Sequence, residues 1–125
     1  MRRFNGLLAC LLAASLASGT ALAGEGDIGP VYIKGVGVIT QNDIGHRAGN
    51  LELTISPSFT LPAGVSCDTT YITTLAANDP DKKLLALSTA AQLSKTPVFL
   101  HISDSATLNA FSGRCSIIAL TLMSQ

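Results

Sequence analysis

From Leu51 to Leu61 the chain alternates without a break, and this constrains the fold more than any other stretch. Leu51, Leu53, Ile55, Pro57, Phe59 and Leu61 take one face, and Glu52, Thr54, Ser56, Ser58 and Thr60 take the other. A period of two over such a length belongs to a strand with one face on a core and the other toward water. Pro57 cannot donate to a ladder, so the strand lies at an edge there or splits in two. A chain built on such a strand must find other strands to pair with it and an apolar layer to cover it.

The remaining elements follow from the same kind of reading. Residues 31–40 are rich in β-branched residues and bounded by Gly29-Pro30 and Gln41-Asn42-Asp43, which predicts a strand. Gly35 and Gly37 inside it mark a bulge or a sharp bend. Residues 69–75 predict a third strand, with Tyr71, Thr73 and Leu75 opposed to Thr70, Ile72 and Thr74. Asp79 then suits a helix N-cap, and Pro80 suits the first turn of a helix running to Ser94. Leu84, Ala86, Leu87, Ala90, Ala91 and Leu93 cover half of its wheel. Leu85 projects instead from the polar side, with Ser88, Thr89 and Gln92, and is the candidate contact with a second copy. Pro97 ends the helix, residues 98–103 resume as a strand, and residues 105–113 read as a loop. Residues 115–123 form a last strand with Ile118, Leu120 and Leu122 inward.

The N-terminus has the layout of an export leader. Arg2 and Arg3 precede a Leu/Ala run from Leu7 to Leu16, and Ala21-Leu22-Ala23 places small residues where a signal peptidase cuts. Residues 1–23 are therefore expected to be a cleaved signal peptide, with residues 24–125 a single exported domain, periplasmic or secreted. A lipidated Cys10 would need a longer apolar run ahead of it. A permanent anchor would need about 20 strongly apolar residues without the Ser, Gly and Thr that dilute this one. The expected mature chain carries six Lys or Arg against eight Asp or Glu, a net charge of −2. It has no basic stripe for nucleic acid and no polybasic run for an anionic membrane.

Cleavage removes Cys10 and leaves Cys67 and Cys115. In an oxidising compartment two cysteines most simply form one bridge. A catalytic or metal-binding thiol would need a neighbouring base or further ligands, and neither cysteine has a CxxC or a nearby His.

The order β-β-β-α-β-β predicts a mainly β, α+β domain with one helix. A helix between the third and fourth of five strands is the arrangement of an OB-like small barrel. The stretch Leu84-Leu85-Ala86-Leu87-Ser88-Thr89-Ala90-Ala91-Gln92-Leu93, followed by Lys95-Thr96-Pro97-Val98-Phe99-Leu100-His101-Ile102, resembles the helix-then-strand segment of bacterial toxin B (binding) subunits of the subtilase-cytotoxin and pertussis type. It is more similar still to a group of small exported bacterial proteins of unassigned function with an OB-like fold. The resemblance covers about residues 65–122. It implies ring-like self-association and a binding role, and it transfers no glycan-pocket residue to this chain.

Catalytic chemistry finds little support. His46 lies in a Gly45–Gly49 turn and His101 on the outer side of a strand, with no HxxxH spacing for zinc. Asp79 and Asp81 suit a helix start better than an acid–base or calcium pair. There is no GxSxG, and no triad can be named. The expectation is a non-enzymatic binding module without cofactor or metal, for a glycan or a protein ligand. The alternatives are an envelope-associated accessory protein without a small ligand and, third, a small secreted hydrolase.

Overall fold

The structure, a computed structural model, describes residues 22–124. Most of the expected leader lies outside them. Five strands, β1 (Glu25–Val38), β2 (Leu51–Ser56), β3 (Tyr71–Thr74), β4 (Val98–Ser103) and β5 (Cys115–Leu122), close a barrel in the order β1-β2-β3-β5-β4. The helix α1 (Lys83–Ser94) lies between β3 and β4 in sequence, after a single 3₁₀ turn at Ala76–Asn78. The barrel is the OB-like α+β architecture that the element order predicts.

The alternation that opens the sequence fills the interior. Leu51, Leu53 and Ile55 point inward, and Phe59 and Leu61 fold over the same core beyond the end of β2. Ile72, Val98, Leu100 and Ile102 complete the centre with no measurable exposure. β2 stops at Ser56, one residue before Pro57, where the ladder would have lost a donor.

β1 is longer than its β-branched run, because Gly29-Pro30 does not bound it. The strand pairs with β4 up to Val31 and with β2 from Tyr32, and Gly29-Pro30 interrupts the register at the change of partner. Gly29 has φ +136°, and a Cβ there would come within 2.8 Å of Val98 O and Phe99 Cδ1, so only glycine lets the strands approach. A second irregularity between Ile33 and Gly35 is the bulge that the strand glycines predict.

Several inward assignments change, including that of Leu122, which is exposed near the end of β5. In β5 the register skips between His101 and Ile102, so that Leu100 faces Leu120 while Ile102 faces Ile117. Ile118 is the extra residue and is exposed, and Ile117 takes the buried place. The helix is also turned relative to its apolar wheel. Leu84, Leu85, Ser88 and Ala91 face the barrel, whereas Leu87 and Leu93 are exposed, Leu93 at 78%. Leu85, expected on the outward polar side, packs against the core. Small Ser88 and Ala91 permit close approach, and Ser88 satisfies its hydroxyl on the Leu84 carbonyl.

Asp79 is a cap, but from further back than the sequence suggests. Lys82 takes the N-cap position in a left-handed conformation (φ 58°), which keeps Pro80 outside the helix. The buried Asp79 carboxylate accepts the backbone N–H of Leu84 at 3.0 Å and of Leu85 at 3.2 Å. Loss of this capping in Asp79→Ala should destabilise the domain by about 1–2 kcal/mol in urea unfolding. A midpoint unchanged from wild type would show that the carboxylate does not hold the helix start.

Cys67 and Cys115 are bridged, with Cα atoms 5.4 Å apart and 48 residues of separation. Non-reducing peptide mapping should recover this pair linked. Removing it in Cys67→Ser/Cys115→Ser should cost roughly 2–5 kcal/mol. Two free thiols in protein recovered from an oxidising compartment would refute the pairing.

Candidate functional site

The loop between β1 and β2 (residues 39–50) and the loop between β4 and β5 (residues 104–114) meet on one side of the barrel, and both are shaped by their own polar side chains. In the first, Asp43 and His46 exchange backbone hydrogen bonds around Gly45, whose φ is +80°. Asn42 Oδ1 accepts the Ala48 N–H at 2.9 Å. In the second, Asn109 Oδ1 accepts the Phe111 N–H at 2.8 Å, and Ser116 Oγ donates to Leu108 O at 2.6 Å. Buried Asn50 joins the two. Its Oδ1 accepts the Ala76 N–H at 3.0 Å, and its Nδ2 donates to Ala110 O at 3.5 Å.

A stack of side chains continues this connection across the outer face of β2 and β3. His46 lies 4.5 Å from the Phe111 ring, with 29° between planes. The Arg114 guanidinium is 4.4 Å from the same ring and 4.6 Å from that of Tyr71. Phe111 is thus in contact with both His46 and Arg114. Arg114 also pairs with Glu52, and both side chains are largely withdrawn from water. The cation–π contacts are each worth about 0.5–2 kcal/mol at this degree of burial. Their geometric effect is to clamp the two loops onto the sheet.

Beside the clamp, the loops line an open groove of ≈ 470 Å³. Phe111 and Leu75 line it with apolar surface, and Arg47, Thr107 and Asn109 supply polar groups. Arg47 is exposed and has no ion pair among the described residues. The cleft can therefore offer a fixed loop surface, one cation and several hydrogen-bonding groups. It contains no nucleophile–base pair.

Of the residues singled out in the sequence, His46 joins the stack and the others fall elsewhere. Cys67 and Cys115 are spent in the disulfide, Asp79 caps the helix, and Asp81 pairs with Lys83 at 3.0 Å on the surface. Glu52, Tyr71 and Arg114 carried no motif, because 62 residues separate Arg114 from its partner Glu52. The one signal was the place of Glu52 on the water-facing side of β2.

His101 makes a separate polar cluster on the outer face of β1 and β4. Its Nδ1 is 2.7 Å from Asp27 Oδ1, and its Nε2 is 3.8 Å from Glu25 Oε2. Among the described residues no group of three His, Cys, Asp or Glu is arranged to hold a metal ion. The hydrogen bond to Asp27, more than the opposing partial burial and reinforced by the charges of Asp27 and Glu25, raises the His101 pKa above its ordinary value of 6.5. A raised folded-state pKa means that this pair supports the fold fully below the unfolded value and loses its contribution as pH rises through the folded one. NMR titration should place the His101 midpoint above 6.5, and Asp27→Asn should lower it. Equal midpoints in the two proteins would disprove the coupling.

No protein-family model, curated protein or solved structure matches this chain.

Proposed function

We propose that this chain is an exported, non-enzymatic binding module that takes an acidic glycan in the cleft between its two long loops. The observation that carries the proposal is the preformed cleft itself, held by Asn50 and by the His46–Phe111–Arg114–Tyr71 stack, with Arg47 left unpaired at its rim. Its volume lies in the range of small-ligand sites, about 300–1,000 Å³, and its polar groups converge from two loops. The barrel interior is packed with side chains, so a ligand must bind outside. In barrels of this architecture the β2–β3 face and the loops between β1 and β2 and between β4 and β5 carry oligonucleotides or oligosaccharides. The expected mature chain, at a net charge of −2, has no basic stripe to neutralise a polyanionic nucleic-acid backbone, whereas a glycan with one acidic group needs only the single cation of Arg47. Phe111 is already engaged by His46 and Arg114, so recognition would rest on Arg47 and hydrogen bonds rather than on stacking.

The leader pattern and the disulfide support export, and no helix among the described residues is long and apolar enough to cross a membrane. The resemblance of residues 65–122 to toxin binding subunits points toward the same kind of role.

A glycan array followed by calorimetry tests the reading. An acidic glycan should bind, and Arg47→Ala should weaken it about tenfold or more, the effect of one lost charge-assisted hydrogen bond. Thr107→Ala should have a smaller effect. No binding to any glycan, or binding indifferent to Arg47→Ala, would overturn the proposal.

A further inference from the structure

The backbone of Gly24, just ahead of β1, is held closely at both its N–H and its carbonyl. Its N–H donates to Asp104 Oδ1 at 2.7 Å, and its carbonyl accepts the Asp104 N–H at 3.1 Å. The other carboxylate oxygen of Asp104 accepts the N–H of Ser66 at 2.9 Å, next to the disulfide at Cys67. No side chain fits at position 24. A Cβ there would overlap Gly64 O and approach Val65 N to 2.9 Å. Immediately upstream, Leu22 and Ala23 are exposed, Leu22 at 92%.

We propose that Asp104 is the receptor for a new N-terminus made by cutting between Ala23 and Gly24, an inference that rests on the export reading. Hydrolysis by a leader peptidase consumes one water. The hydroxyl goes to the Ala23 carbonyl carbon, which leaves as a carboxylate, and the Gly24 nitrogen gains protons to become an ammonium. Before the cut, that nitrogen is an amide with a single N–H. Afterwards it carries a full positive charge and three donors at the same place against the same carboxylate. A neutral hydrogen bond becomes an ion pair without movement of the barrel. The neighbouring charges do not compete for it. Glu25 faces His101, and the turn at residues 62–65 brings no charged side chain.

The resulting contact ties the start of β1 to the end of β4 and to the segment leading to Cys67. A tight approach that only glycine allows explains why the residue after the cut is glycine. Release of the leader thus completes a structural contact as well as freeing the domain.

The test begins with N-terminal sequencing of protein exported from the full chain, which should start at Gly24. A start elsewhere removes the export reading and this proposal together. With the start established, the α-amino group is titrated by NMR on glycine-labelled protein. It should titrate at least one unit, a tenfold change in proton affinity, above the ordinary value of about 7.7–8.0. Asp104→Asn should return it to that value. If Asp104→Asn does not fold, the comparison is made in a chain that keeps Leu22-Ala23 ahead of Gly24, whose free amine should titrate at the ordinary value. A Gly24 amine that titrates normally in the correctly cut wild-type protein would overturn the proposal and leave export and glycan binding untouched.

Discussion

Everything in this barrel depends on a short seam. β3 and β5 run parallel and share only two residue pairs, Ile72 with Cys115 and Thr73 with Ser116, yet this contact closes the ring. Parallel pairing is slightly weaker per residue than antiparallel pairing, and two pairs of it would be a poor closure by themselves. The disulfide from Cys67 reaches Cys115 at the first pair, and Thr73 Oγ1 donates to the Cys115 carbonyl at 3.4 Å. On the chain-entropy account, a loop of this length contributes roughly 4 kcal/mol. That is a substantial part of a stability of about 5–15 kcal/mol for an ordinary domain.

The same seam positions the candidate site. Arg114 immediately precedes Cys115, so fixing the start of β5 also fixes the guanidinium between Tyr71 of β3 and Phe111 of the preceding loop. His46 then leans on Phe111 from the loop after β1, and Asn50 secures that loop where it enters β2. Covalent closure, loop geometry and the cleft form one mechanical chain. Asp104, at the other end of the Phe111 loop, holds Gly24 and the backbone beside Cys67. Both ends of the loop between β4 and β5 are thereby tied to the disulfide region.

Much of the fold is legible in the sequence. The alternation in β2, the apolar triad of β4, the helix between the third and fourth strands, the bulge glycines of β1 and the cysteine pair all came through. Each is a local pattern, or, for the cysteines, a matter of counting. The misread positions share a different cause. Ile118 exchanged places with Ile117 because a bulge shifts the register there by one residue, so the residues before it follow the opposite phase from Leu120, which keeps its expected place. Leu85 turned inward because the barrel end needed a face with small residues for close approach, and the arc around Ser88 offered it. On a helix this mixed, no single apolar face decides the orientation.

The candidate site was the least legible part. Its stack assembles His46, Glu52, Tyr71, Phe111 and Arg114 from two loops and two strands, and none of them sits in a recognisable spacing. The sequence alone determined the periodicities, the order of elements and the supply of thiols, because these depend on neighbours along the chain. The tertiary structure alone decided which side of the helix meets the barrel, where the registers slip, and which charged groups are shared between distant segments. Those outcomes depend on how closed-barrel geometry brings remote residues within a few ångströms, and linear order holds no record of that distance.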